Sequence, residues 1–259
     1  MFEARLIQGS LLKKLVEAMK ELITDANLDC SSNGISLQAM DSSHVSLCAL
    51  TLRKEGFEQY RCDKSTSLGL KFSSVSKILK CADNEDTITL KAEDEGDAIT
   101  FVFENSSSDR ISEFELKLID FEAEHLGIPD KEYKAIIQMP SSEFQRICRD
   151  MSVLGESCII SCTKEGVKFS VSGDIGNGNV ILKPTSTVDN KEQAVIVEME
   201  EPVELSFSLR YLTLFTKATP ISPVVKLSLT ENMPIVVEYT IENTGSLRYY
   251  LAPKVDGDE

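Results

Sequence analysis

The chain is written twice, and that duplication restricts its fold more than any other feature. At an offset of 132 residues, Lys14 falls on Arg146, Leu15 on Ile147, Met19 on Met151 and Leu22 on Leu154. The same offset brings Cys30 to Cys162, Gly34 to Gly166, Ile35 to Val167 and Leu37 to Phe169. Farther on, an offset of 137 aligns Lys80 with Lys217, Ile88 with Val225 and Leu90 with Leu227. A period of about half the 259-residue chain is too long for a solenoid repeat and fits a duplicated domain. Chance likeness between amphipathic segments is the alternative, and the shared order of elements argues against it.

Each half reads as strand, helix, hairpin strands, helix and further strands. Alternation of period two marks 34–40, 44–52, 87–92 and 98–104, then 167–172, 194–199, 203–208, 224–229 and 234–241. Turn residues divide them at Ser32-Asn33-Gly34, Glu95-Gly96-Asp97, Lys164-Glu165-Gly166 and Gly176-Asn177-Gly178. Helical periodicity appears over 9–22, 72–81, 141–154 and 208–218. Strands far outnumber helices, and parallel βαβ winding would need a helix after nearly every strand. The expected class is therefore α+β, with two similar domains of antiparallel sheets and two helices each, the helices covering one face. Between the halves, 119–133 (IDFEAEHLGIPDKEY) lacks sustained alternation and is rich in acid. It reads as a connector between domains at 1–118 and 134–259. Leu126 and Ile128 fit a strap over a hydrophobic depression, and a plain anchored linker fits as well.

Charge is segregated along this pattern. The four helical stretches carry nine basic and four acidic residues, whereas the rest carries 18 basic against 38 acidic, within a net charge of −15. On the first helix Leu11, Leu12, Leu15, Val16, Met19 and Leu22 form the apolar stripe, with Lys13, Lys14 and Lys20 opposite. Lys77 and Lys80, Arg146 and Arg149, and Arg210 and Lys217 stand at helical spacings of three, three and seven. For one helix alone a solvated face is the simplest account. Four such faces at duplicated positions of an acidic chain favour a phosphate-facing surface. They lack interleaved aromatics, which argues against stacking with single strands, and no recognition helix or zinc-finger spacing points to base readout.

Other function classes find less support. The stretch MFEARLIQGS has no signal-peptide pattern, and no apolar run reaches the roughly 18 residues of a membrane span. Seven cysteines without a CxxC pair read as reduced thiols, most simply buried apolar side chains. His44 and His125 are the only histidines, and neither has metal-ligand spacing around it. A phosphate-binding GxxxxGK[ST] is absent, so no nucleotide cofactor is expected. Gly176-Asn-Gly178-Asn lacks a βαβ setting and reads as a hairpin turn. Asp41-Ser-Ser-His44 has no nucleophile elbow, and an enzyme is not expected. Asn105-Ser-Ser is formally a glycosylation acceptor but carries little weight without a secretory signal.

From Met1-Phe-Glu-Ala-Arg-Leu to Tyr249-Tyr-Leu-Ala-Pro-Lys254 the chain resembles the eukaryotic proliferating cell nuclear antigens, the small form of the DNA sliding clamp. Met40-Asp-Ser-Ser-His-Val-Ser-Leu47, Leu126-Gly-Ile-Pro129, Ile147-Cys-Arg-Asp150, Leu209-Arg-Tyr-Leu212 and Phe215-Thr-Lys-Ala-Thr-Pro220 carry the resemblance. It implies a head-to-tail homotrimer, a ring of six domains with sheets outside and helices lining the hole. Lys13, Lys14, Lys20, Lys77, Lys80, Arg146, Arg149, Arg210 and Lys217 would then face double-stranded DNA without sequence preference. Subunit contacts are expected from strand edges near 110–117 and 175–182, involving Arg110, Phe114, Lys117, Ile175, Gly178 and Val180. Phe114 stands where the family commonly has tyrosine, and Val153 where a polar residue or histidine is common.

The resemblance further implies a partner pocket of Met40, His44, Val45, Leu47, Leu126, Ile128, Pro129, Met233, Pro234, Tyr250, Ala252 and Pro253. Clients such as DNA polymerases, flap endonuclease and DNA ligase would insert a short interaction peptide there. Ordinary strand core is the alternative for some of these positions. Lys164 matches the family's ubiquitin and SUMO acceptor, and from sequence alone is an exposed loop lysine. An ATP-driven clamp loader and a nuclear location complete the expectation, with no membrane partner. The rival readings are a checkpoint-type subunit of a heterotrimer and a peptide-binding scaffold that never encircles DNA.

Overall fold

The computed structural model describes residues 1–105, 107, 109–122, 126–128, 132–185 and 191–254. They form two compact units. The first comprises Met1–Ser42, Cys48–Leu126 and Ile241–Leu247; the second comprises Ser43–Leu47, Gly127–Thr240 and Arg248 onward.

The two halves of the chain have the same element order. The first runs β1 (Phe2–Leu6), α1 (Ser10–Met19), β2 (Asp25–Ser31), β3 (Gly34–Met40), β4 (Ser46–Arg53), β5 (Gln59–Cys62), β6 (Thr66–Lys71), α2 (Phe72–Leu79), β7 (Thr87–Ala92), β8 (Ala98–Asn105) and β9 (Arg110–Lys117). The second runs β10 (Ala135–Pro140), α3 (Ser141–Ser152), β11 (Ser157–Thr163), β12 (Gly166–Gly173), β13 (Gly176–Leu182), β14 (Ile196–Met199), β15 (Val203–Ser208), α4 (Leu209–Phe215), β16 (Val224–Leu229), β17 (Ile235–Ile241) and β18 (Gly245–Leu251). Strand pairing repeats as well. The orders β5-β1-β7-β8-β9 and β4-β3-β2-β6 in the first half reappear as β14-β10-β16-β17-β18 and β13-β12-β11-β15. The fold is α+β with antiparallel sheets and four α-helices among the described residues, as the sequence pattern predicts.

The hairpin β2–β3 pairs Ser31 with Gly34, and β11–β12 pairs Thr163 with Gly166. Both glycines have φ near +140°, and a Cβ would lie 2.1 and 2.2 Å from the carbonyls of Leu52 and Leu182. Glycine is required twice at the same place because neighbouring backbone leaves no room and L residues avoid that φ. The next hairpin differs from expectation. Its turn is Asp174-Ile175, and Gly176-Asn-Gly178-Asn belongs to β13, where Gly173 pairs with Gly176.

None of the α-helices has a side-chain N-cap. Their first amides are satisfied by loop carbonyls instead, in duplicate. Phe72 N–H donates to Thr24 O at 2.9 Å, and Leu209 N–H to Glu156 O at 2.8 Å. Gly9 N–H donates to Asp86 O at 3.1 Å, and Ser141 N–H to Pro223 O at 2.9 Å. These tertiary contacts each take one donor at a helix start, a different one from the second or third amide that a Ser or Asp N-cap would take.

Periodic side chains then dock each helix. Leu15, Val16 and Met19 of α1 are buried, as are Phe72, Val75 and Leu79 of α2, Phe144, Ile147, Cys148 and Met151 of α3, and Leu209, Leu212 and Phe215 of α4. In the first unit α1, α2 and strands of both sheets surround an all-apolar cavity of about 50 Å³ lined by Ala4, Val16, Leu37, Leu50, Val75 and Leu90 among others. In the second, Phe215 stacks on Tyr249 at 4.5 Å, and Tyr249 meets Tyr239 edge-on at 6.3 Å.

The last helical stretch is shorter than its periodicity predicts. The α-helix ends at Phe215, and Thr216–Ile221 continue as a 3-10 turn containing Pro220. Proline has no N–H to offer the Thr216 carbonyl. Gln145 of α3 donates to that carbonyl instead, at 3.2 Å.

Leu15 is fully buried at the centre of its unit. Leu15→Ala should therefore cost about 2–5 kcal/mol, read as a lower urea midpoint, with Ile147→Ala giving a similar loss in the second unit.

Candidate DNA-facing helices, partner surface and strand edges

Burying one stripe of each helix turns the other stripe outward. Lys14, Lys77, Lys80, Arg146, Arg149, Arg210 and Lys217 are exposed, whereas Lys13 and Lys20 are half-buried. Lys13 Nζ donates to Ala82 O at 2.6 Å and to Asn84 Oδ1 at 3.2 Å, tying α1 to the loop after α2. Lys20 pairs with Glu17 at 2.5 Å. Glu17 also accepts from Ser76 of α2 at 2.9 Å. The Lys20 contact, with Ser76 and the field of Lys80, holds the Glu17 carboxyl below its ordinary range despite some desolvation.

In the second unit, Arg146 lies 3.6 Å and Arg149 3.1 Å from Asp150. Exposed pairs of this kind are weak and leave the guanidinium available to a stronger anion. The Arg210 guanidinium stands 5.9 Å from the Tyr211 ring centroid. Lys217 falls on the 3-10 turn, so its seven-residue spacing from Arg210 is not a helical one, and the expectation of a shared helical face is corrected. Val153, the residue that caps the C-terminus of α3, is 70% exposed.

The residues of the expected partner pocket divide between the units. In the second, His44 and Ala252 are exposed, and Met233, Pro234, Tyr250 and Pro253 are half-buried. Val45 and Ile128 are 38% and 37% exposed, whereas Leu47 is buried and belongs to the core. Ala252 N–H donates to Val45 O at 3.2 Å, fixing the C-terminal segment beside the 43–47 loop. Lys254 N–H then donates to Ser206 O at 2.8 Å. His44 adopts φ 56°, the left-handed turn position between β3 and β4. Desolvation first, and then Tyr250, raise the Tyr133 phenol. In the first unit Met40 is half-buried and Leu126 is 41% exposed. Pro129 lies outside the described residues, as does His125.

The connector is tied down in a way the sequence pattern did not reveal. Ile119 N–H donates to Gly69 O of β6 at 3.0 Å, and Asn27 Nδ2 of β2 donates to Phe121 O at 2.8 Å. Gln38 of β3 then bonds both backbone groups of Leu126, at 2.8 and 3.0 Å. The strap thus crosses β6, β2 and β3 in turn. Glycine at 69 is what admits it, since a Cβ there would stand 1.9 Å from Ile119 O.

Strands β9 and β13 are the outer strands of their sheets. Phe114 packs on Phe103 at 5.4 Å, and Arg110 donates to Ser112 at 3.1 Å. Lys117 is exposed, and Gly178 and Val180 are half-buried. Ile175 is 74% exposed, and two isoleucines that sequence reasoning missed, Ile111 and Ile181, are 69% and 61% exposed. Their signal was available: each is an isoleucine on the otherwise polar face of an alternating strand.

Lys164 occupies the exposed two-residue turn between β11 and β12. The Asn105 amide is engaged, donating to Asp86 at 2.8 Å and accepting from Ser107 N–H at 3.0 Å. All seven cysteines are free thiols. Cys30, Cys48, Cys148, Cys158 and Cys162 are buried, Cys62 is partly exposed and Cys81 is exposed, so the buried reading holds for five. Burial pushes the Cys158 thiol up to about 11.

A duplicated α+β unit with a two-helix layer and segregated cations defines a clamp-type domain pair. The models of the N-terminal and C-terminal domains of proliferating cell nuclear antigen match residues 1–125 and 127–254. The chain belongs to the proliferating cell nuclear antigen family and is a DNA sliding clamp. Clamps of this family are non-enzymatic scaffolds of DNA replication and repair that self-assemble, encircle DNA and bind client proteins.

The folded value of Glu17 is depressed, so its stabilising contribution is present above the ordinary glutamate value of ~4.3 and disappears as pH falls through the lower, folded value. Urea unfolding across that acidic window should show a loss of stability that Glu17→Gln reduces.

Proposed function

We propose that the chain is a eukaryotic polymerase processivity factor that closes as a homotrimer around duplex DNA in the nucleus. What carries this reading is the match of both family domains, joined to a duplicated helix layer that concentrates cations on an acidic chain. In the ring, Lys14, Lys77, Lys80, Arg146, Arg149, Arg210 and Lys217 contact phosphates, and Lys13 and Lys20 add field from beside their structural partners. Contacts of this kind prefer no register, so the ring slides, and an acidic exterior keeps DNA in the channel.

Edges β9 and β13 of neighbouring subunits pair, with Arg110, Phe114, Lys117, Ile175, Gly178 and Val180 in the contact and Ile111 and Ile181 covered by it. The domains are 1–118 and 134–259, with 119–133 as connector. Client peptides of DNA polymerases, flap endonuclease and DNA ligase dock on His44, Val45, Ile128, Met233, Pro234, Tyr250, Ala252 and Pro253 of the second unit. These residues combine exposed apolar area with an adjacent C-terminal segment that can pair with peptide backbone. Lys164, on an exposed turn, accepts ubiquitin or SUMO. Loading is the work of a separate ATP-driven clamp loader.

Encirclement is tested on nicked circular plasmid. The loaded protein should stay bound and should leave when the plasmid is linearised; retention on linear DNA would refute a closed ring. Sedimentation equilibrium of the pure chain should give a trimer, whereas a monomer would favour a checkpoint-type subunit. Lys77→Glu with Lys80→Glu should depress polymerase stimulation severalfold at low salt while the trimer persists. Unchanged stimulation would remove α2 from the DNA-facing surface.

A further inference from the structure

The two units build matching cores from side chains of different size. Their strand registers coincide: Ala4 pairs with Leu90 across β1–β7 as Ile137 pairs with Leu227 across β10–β16, and Ala26 pairs with Leu70 as Cys158 pairs with Phe207. Leu12 precedes Leu15 as Phe144 precedes Ile147, and Leu37 follows Gly34 as Phe169 follows Gly166. The first unit therefore has Ala4, Leu12, Leu37 and Leu70 where the second has Ile137, Phe144, Phe169 and Phe207. All four of the larger side chains are buried, and the Phe144 and Phe169 ring centroids lie 6.4 Å apart. Phe72 against Leu209 and Phe101 against Val237 run the other way and recover part of that volume.

All four of the smaller side chains line the cavity of the first unit. No nitrogen or oxygen borders that space, and Val16, Leu50 and Leu90 in its walls are buried. A trapped water needs several polar partners, so the space is dry. Atoms around a dry void lack dispersion partners on one side. The walls do not close over it, because strand ladders in two sheets hold β1, β2, β3, β7 and β8 in register. An apolar cavity of about 150 Å³ admits benzene. At about 50 Å³ this one is limited to a smaller guest. We propose that the core of the first unit is a ligand site for one small apolar molecule of about the size of xenon, carrying no hydrogen-bonding group.

Xenon itself is the probe. The full-length protein, labelled at its Leu and Val methyl groups, is followed by NMR under increasing xenon pressure. Methyl shifts at Val16, Leu37, Leu50 and Val75 should change and saturate, while those of Leu212, Val225 and Leu227 in the second core stay in place. Benzene should give no saturable shift at any of them. Ala4→Val adds two methyl groups at a strand position that suits the branched shape, and valine is still smaller than the Ile137 of the second unit. That variant should lose the saturable xenon shifts and unfold at a higher urea midpoint.

Wild-type shifts that only grow linearly with pressure, or that saturate alike in both units, overturn the site without recourse to any variant. If Ala4→Val folds and still responds to xenon as wild type does, the guest lies outside this cavity and the assignment falls. A lowered urea midpoint in Ala4→Val overturns the void beside Ala4, since the added methyl groups then found no room. Saturable shifts with benzene overturn the size class.

Discussion

Docking one apolar stripe of each helix is the constraint from which the rest of this protein follows. Leu15, Val75, Ile147 and Leu212 cannot be buried without turning the opposite stripe to water, and that stripe is where the lysines and arginines stand. Charge segregation is therefore a by-product of core formation. An acidic chain presents cations at its helix layers because the apolar pattern orients them, and the same pattern occurs in each half. Basic surface and hydrophobic core are two sides of the same helices.

The tertiary caps make that layer depend on its neighbours. Each unit satisfies its helix-starting amides with loop carbonyls, Asp86 and Thr24 in one and Pro223 and Glu156 in the other. A helix capped by a distant loop forms its proper start only once the loop is in place. Lys13 strengthens the same dependence by reaching from α1 to Ala82, and Gln145 does so by taking the Thr216 carbonyl that Pro220 leaves open. Cations drawn from one helical stretch thus have different duties: Lys14 is exposed to solvent, while Lys13 is occupied in holding a loop.

The strap shows a second use of side chains in place of backbone pairing. Three neighbouring strands offer it a bare glycine, an asparagine and a glutamine, and none of these belongs to a regular hydrogen-bond ladder with it. A side-chain rung leaves Leu126 exposed where a paired strand would carry it into a sheet face. Exposed apolar residues on a tethered segment suit transient partners, because they are presented without being buried.

How much of this was legible follows from the range of the interactions. Periodicity placed the four helices and the β3, β7, β15 and β16 strands because amphipathic patterning is local and repeats within a few residues. The duplication was legible because the two halves must solve the same packing problem, down to Gly34 and Gly166 at one crowded turn. Local pattern misjudged the end of α4 and the hairpin at Asp174-Ile175, where a missing N–H and a strand register decide. It gave no sign of Gln38, Asn27 and Gly69 as strap anchors, nor of which lysines were engaged. Those contacts join residues dozens of positions apart, so their donors and acceptors are indistinguishable from solvated ones until the chain is folded. The sequence by itself determined which face of each element is apolar and where charge gathers; only the tertiary structure decided which polar groups meet, since hydrogen bonds depend on distance and direction rather than on order along the chain.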